Sequence, residues 1–213
     1  MIPSSGMRWS CAASVLMALL AGCAARVPGP QPRPTATIEG PMCLAALDRA
    51  GVAYSVAPLA ASVDACGIDT PVRVTAAGIA WNQPGVVSCG FALELDAFTR
   101  EELEPAARAR FGQDLRLIRH FGTYACRREN GGDGHWSQHA KGRAIDIAGF
   151  DLADGTTILV ERDWRSGDAK SAFLHDVVRR ACRRFGVVLT PDSDKYHYNH
   201  FHIDSGPWKL CER

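Results

Sequence analysis

Two short segments hold the residues best suited to chemistry. Ser137-Gln-His139-Ala-Lys-Gly142-Arg-Ala144-Ile-Asp146 and His197-Tyr-Asn-His200-Phe-His202-Ile-Asp204 contain four of the chain's seven histidines, and His135 stands just upstream. A mononuclear zinc hydrolase needs imidazole and carboxylate ligands, one coordination position left for water, and a nearby acid/base. These two segments could supply all of that.

The elements that carry them must bring them together. On a strand, successive side chains point to opposite faces, so a strand over His200–Asp204 puts His200, His202 and Asp204 on one face and Phe201 and Ile203 on the other. The apolar face can enter a core while both imidazoles look into a cleft. Taken alone, the same pattern equally suits a solvated sheet face. His139 and Asp146 lie seven positions apart with Gly142 between them. A turn at that glycine lets a loop histidine and a strand aspartate meet at one ion.

The surrounding pattern is mixed. A short helix is expected over 42–50, stopped by Gly51, and one helix over much of 90–110, ended by Gly112. Val72-Arg-Val74, Val86-Val87, Leu115–His120, Arg143–Phe150, Thr156–Val160, Val187–Leu189 and His200–Asp204 read as strands. On the 143–150 strand, Ala144, Asp146 and Ala148 share one face, opposite Ile145 and Ile147. Asp154-Gly155 marks a turn into the Thr156–Val160 return strand. The best helix spans 168–185. Its apolar face is Phe173, Leu174, Val177, Val178, Ala181, Cys182 and Phe185, with Gly186 as its expected cap. Helices and strands without regular βαβ alternation predict an α+β domain with a mainly antiparallel sheet.

The chain has 213 residues, 46% hydrophobic and 22% charged, enough for one well-packed domain. Net charge is +1, which leaves no basic stripe for a phosphate backbone and argues against nucleic acid as a partner. At the N-terminus, Arg8 precedes an apolar run from Cys11 to Leu20 that is too short to span a bilayer. It ends in Leu20-Ala21-Gly22-Cys23, which resembles the bacterial lipobox. Residues 1–22 therefore read as a signal peptide, with lipidation expected on Cys23. Ala24 follows instead of aspartate, so the expected location is the outer membrane, facing the periplasm and tethered by lipid. Proline-rich residues 23–40 read as a spacer, and 41–213 as the domain. Setting aside Cys11 and Cys23 leaves Cys43, Cys66, Cys89, Cys126, Cys182 and Cys211. In an oxidising compartment these predict three disulfides, with 15 possible pairings.

Ser137-x-His139-x-x-Gly142-x-Ala144-x-Asp146 followed by His200-x-His202 resembles the paired motifs of zinc D-alanyl-D-alanine peptidases. More closely, Cys43 to Cys211 resembles the bacterial extensin-like C-terminal domain family, through Tyr124-Ala-Cys126-Arg127-Arg-Glu-Asn130, Ala181-Cys182-Arg-Arg-Phe185-Gly186 and Cys211-Glu. The resemblance implies a hedgehog/DD-peptidase-like fold with Zn2+ as cofactor. It implies His139, Asp146 and His202 as ligands, and His200 as the residue that activates water or steadies the transition state. It also implies Arg127 as the group binding a substrate carboxylate or the oxyanion. Ser137, Asp194, His197 and Asp204 are candidates to orient these groups. The implied activity is hydrolysis of amide bonds in peptidoglycan stem peptides or crosslinks. One departure stands out: several such peptidases place a glutamate just before the last zinc histidine, where this chain reads Tyr198-Asn199-His200-Phe201. The alternative expectation is a wall-binding lipoprotein that keeps the fold without catalysis.

Overall fold

A computed structural model describes residues 39–58, 66–129 and 134–212. The signal peptide, Cys23 with nearly all of the spacer, and Asn130 lie outside the described residues. In chain order the elements are α1 (Gly40–Ala50), β1 (Ala53–Val56), β2 (Pro71–Ala77), β3 (Ile79–Ser88), α2 (Cys89–Phe98), a π-helical turn (Thr99–Leu103) and α3 (Glu104–Phe111). There follow β4 (Leu115–Gly122), a 3-10 turn (Gln138–Lys141), β5 (Ala144–Leu152), β6 (Thr157–Leu159), α4 (Val160–Asp163), α5 (Ala169–Arg184), β7 (Val187–Leu189), β8 (Phe201–Asp204) and β9 (Leu210–Cys211). The strands form one nine-stranded sheet, ordered β1-β2-β3-β4-β5-β8-β7-β9, with β6 paired to β5. Two neighbouring pairs are parallel, β3 with β4 and β7 with β9; the others are antiparallel. The α+β expectation therefore holds.

The helix expected over 90–110 is a continuous run interrupted by one wide turn. Pro105 cannot donate a backbone hydrogen bond, and its ring must avoid the carbonyl one turn back. The chain widens there, and the Glu104 amide bonds the Thr99 carbonyl five residues earlier. Ser88 caps the start, its Oγ accepting from the Phe91 amide at 3.3 Å. Gly112, at φ 66°, ends the run. In α5, the Asp168 carboxylate accepts from the Lys170 and Ser171 amides at 2.9 and 3.1 Å, an N-cap of the kind worth about 1 kcal/mol.

Gly186 does not cap α5. The helix closes at Phe185 in extended backbone, and glycine is needed at 186 for a different reason. A Cβ there would stand 2.6 Å from the Gly206 carbonyl oxygen and 2.8 Å from that of Trp208. The bareness of Gly186 lets the segment after β8 run across the start of β7.

The apolar faces of β5 and β8 supply Ile145, Ile147, Phe201 and Ile203 to the same buried cluster as Phe91, Phe98, Phe173 and Phe185 of the helices and their ends. Phe98 and Phe185 meet edge to face at 5.0 Å, as do Phe150 and Phe173 at 5.4 Å. Fully burying such a side chain is worth about 1.5–3 kcal/mol, so this interface fixes β5 and β8 side by side. The polar faces of the two strands are left for the site.

The six cysteines pair as Cys43–Cys89, Cys66–Cys126 and Cys182–Cys211. They tie α1 to α2, the segment before β2 to the loop after β4, and α5 to β9. Among the described residues no helix is long and apolar enough to cross a membrane.

Candidate metal centre

The register of β5 against β8 sets Asp146 directly opposite His202, with Ala144 opposite Asp204 and Ile147 opposite Phe201. Side-chain alternation puts Asp146 and His202 on the same face. His139 reaches them from the 3-10 turn. Ser137 caps that turn, its Oγ accepting from the His139 amide at 3.2 Å. Gly142 closes it at φ 61°. A Cβ at 142 would lie 2.8 Å from Ile68 Cδ1 and 2.9 Å from the Ser88 amide nitrogen, so the turn fits only with glycine. The Ser88 amide bonds the Gly142 carbonyl at 2.8 Å, pinning the turn to the end of β3.

The three side chains converge on one point. His139 Nε2 lies 3.1 Å from Asp146 Oδ1 and 3.1 Å from His202 Nδ1, and His202 Nδ1 lies 3.2 Å from Asp146 Oδ1. Their other ring nitrogens are already committed. His139 Nδ1 donates to the Thr123 carbonyl, and His202 Nε2 donates to Asp204 Oδ2 at 3.0 Å. A carbonyl and a carboxylate can only accept, so in the neutral rings the hydrogens sit on those nitrogens. Three lone pairs are thereby turned toward one another, an arrangement that favours a shared cation or proton. Ligands of a tetrahedral Zn2+ at about 2.0–2.1 Å stand roughly 3.3 Å apart, so the triangle fits zinc in donor type and spacing. Among the described residues these three form the one such group of His, Cys, Asp or Glu atoms.

The electrostatics follow from this packing. Burial alone would raise the Asp146 carboxyl, but the His139 and His202 hydrogen bonds and their charge hold it well below the usual carboxylate range. Burial opposes charge on His202, yet its bonds to Asp146 and Asp204 push its pKa up to about 9. His200 goes the other way. Burial, against the pull of Asp146 but with the neighbouring histidines, lowers it to about 4. His200 precedes β8 instead of lying within it. Its Nδ1 faces Asn199 Oδ1 at 2.9 Å, and its Nε2 stands 3.6 Å from Asp146 Oδ1, within ion-pair distance. Phe121 packs edge-on against its ring at 5.8 Å.

The remaining candidates surround this core. His197 Nδ1 lies 2.8 Å from Asp194 Oδ1, and its ring centre is 5.1 Å from that of His200. Arg127 is exposed and lines a cleft with His197, His202 and Asp204. His135 is exposed, and its carbonyl accepts from the Glu129 amide at 3.0 Å. Three contributors were beyond the reach of sequence reasoning. Thr123 acts through its backbone carbonyl, which no side-chain type announces. Asn199 orients His200 from the adjacent position. Cys66–Cys126 clasps the loop that bears both Thr123 and Arg127.

Fold and site together define an α+β domain, braced by disulfides, whose sheet presents a His-Asp-His cluster at a cleft. The chain belongs to the family described as "extensin-like protein C-terminus", which matches residues 41–212. No curated protein and no solved structure matches it significantly.

Proposed function

We propose that the protein is a zinc-dependent peptidase acting on amide bonds of peptidoglycan stem peptides or their crosslinks. The observation that carries this reading is the convergence of three lone pairs whose tautomers are fixed from behind by Thr123 and Asp204. His139, Asp146 and His202 would hold the ion, which when bound supplies a Lewis acid and lowers the pKa of water towards about 7. His200, neutral near pH 7 and with Nε2 beside the cluster, would take up the proton of the attacking water and pass it to the leaving amine. That assignment removes the need for the glutamate that this chain lacks. Arg127, on the rim of the cleft, offers a guanidinium to a substrate carboxylate or to the developing oxyanion. Asp194 would hold the His197 ring in one tautomer beside the reacting groups. Lipidation at Cys23, with the proline-rich spacer, would place this chemistry at the outer membrane within reach of the wall.

The test is digestion of purified muropeptides by the zinc-loaded chain and by His200→Ala. The expected result is cleavage by the wild type and a loss of about 10²–10⁴-fold in kcat for the variant, with zinc still bound. Binding to sacculi without any cleavage would instead favour the non-catalytic wall-binding reading.

A further inference from the structure

The sheet face that carries the cluster does not stop at β8. Asp146 of β5 stands opposite His202 of β8, and His202 stands opposite Leu189 of β7. In the next row, Ala144 pairs with Asp204, Asp204 with Val187, and Val187 with Leu210 of β9. Paired residues share a face, so Val187, Leu189 and Leu210 continue the site face sideways, while Val188 between them is buried in the core. Their apolar side chains line a cleft of ≈ 250 Å³ that His202 and Asp204 also border.

Two kinds of group complete this cleft. One is the indole of Trp208, 47% exposed. Its segment crosses the start of β7 where Gly186 is bare, and the Lys209 ammonium ties it down by donating to the Phe185 carbonyl at 2.7 Å. The others are polar groups that the fold leaves unspent. Ser137 is 4% exposed; its Oγ accepts from the His139 amide, and its own hydrogen has no acceptor among the described residues. The Gln138 side-chain amide and the Glu129 carboxylate likewise have no hydrogen-bond partner among the described residues. Charge is balanced. Arg127 and Glu129 are of opposite sign, and both Asp204 oxygens are committed, to His202 Nε2 at 3.0 Å and to the Gly206 amide at 2.8 Å.

A ligand that matches these features is neutral, has a flat apolar face, and carries groups round its edge that donate and accept. A pyranose ring meets all three conditions. Its C–H bonds settle on the electron-rich face of an indole, and its hydroxyls reach hydroxyl, amide and carboxylate side chains. An acetamido substituent adds a methyl for the Val187 and Leu189 floor and an amide for Gln138. An apolar peptide side chain would leave Ser137, Gln138 and Glu129 unmatched, and a carboxylate would meet Glu129 as well as Arg127. The volume falls short of the roughly 300 Å³ at which sites for drug-sized ligands begin, which suits a single ring.

We propose that this cleft is a carbohydrate subsite, seating one N-acetylhexosamine unit of a glycan strand against Trp208. That this sugar bears the peptide cut at the metal rests on the peptidase reading above; the sugar binding itself does not.

The experiment is calorimetry of the zinc-loaded full chain with a peptide-free tetramer of β-1,4-linked N-acetylglucosamine. Saturable binding is expected. It should be about tenfold weaker in Trp208→Ala and within about threefold of wild type in Trp208→Tyr, which keeps an aromatic face. Trp208 lies outside the core, so both variants should melt with the wild type. No binding by the wild type, or equal binding by Trp208→Ala, would overturn the inference. With cleavable substrates, Trp208→Ala should raise KM about tenfold for a sugar-bearing muropeptide and leave KM for the free stem peptide unchanged. An equal rise for both would show that Trp208 holds peptide, and would also overturn the inference. If neither substrate is cleaved, the peptidase reading fails, and the tetramer titration still decides the sugar subsite.

Discussion

At the residue scale, the central fact is that three acceptor atoms stand 3.1–3.2 Å apart with their hydrogens directed elsewhere. Such atoms repel unless something positive lies among them. In the metal-free protein the raised pKa of His202, about 9, means that a proton fills this role at neutral pH. In the proposed reading, metal uptake would displace it. Zinc binding near pH 7 should release about one proton, seen as a dependence of the calorimetric heat on buffer ionisation enthalpy. Affinity should climb with pH and level off above about 9. The sign for the metal-free fold is opposite. A folded-state pKa raised above 6.5 adds stability at low pH that fades as pH rises through about 9, so its melting temperature should fall across that interval. That His139, Asp146 and His202 come together was legible in the sequence because their side-chain types and spacing are unusual together. Asp204 was legible because strand alternation puts it on the same face as His202. Thr123 was not, since a backbone carbonyl is common to every residue.

At the scale of elements, the site depends on a turn and a clasp. Gly142 combines a left-handed backbone with atoms at 2.8 and 2.9 Å from where a Cβ would be. The backbone alone costs an L-residue roughly 1–2 kcal/mol. Gly142→Ala should therefore lower stability by more than that in denaturant titrations, and weaken metal binding by displacing His139. Cys66–Cys126 closes a loop of 60 residues, worth about 4 kcal/mol in the chain-entropy view. Its Cys126 end is exposed, unlike the fully buried Cys43–Cys89 pair. The double variant Cys66→Ser/Cys126→Ser should melt at lower temperature and bind zinc more weakly, because the strand-end loop holding His139 through Thr123 is freed. Unchanged zinc affinity in a folded double variant would show that the clasp serves stability alone. Most elements followed from periodicity and caps. The edge strands β1 and β9 did not, because Ala-Tyr-Ser-Val and Leu-Cys carry no alternation of their own and are strands only through their neighbours. The wide turn before Pro105 and the true role of Gly186 likewise depend on contacts, not on local pattern. Disulfide pairing was closed to sequence for the same reason: six equivalent thiols are distinguished only by the fold.

For the whole molecule, a near-neutral chain with six paired cysteines forms one nine-stranded sheet whose apolar face is covered by helices. The opposite face of β5 and β8 is left to a cluster that pays no part in the core yet is nearly closed to solvent: the His139 side chain is 2% exposed and that of Asp146 16%. Burying a carboxylate between two imidazoles is costly without compensation; in the proposed reading a bound cation would supply it, in place of the proton on His202. A ligand that binds only the folded state also stabilises it, so chelation should lower the melting temperature of the wild type and leave Asp146→Ala unaffected. The most direct measurement of the account is elemental analysis of the purified full-length protein and of Asp146→Ala after equilibration with zinc and gel filtration. About one zinc per wild-type chain is expected, and a loss of most of it in a variant that remains folded. A wild type that retains no metal, or a variant that retains as much, would contradict it.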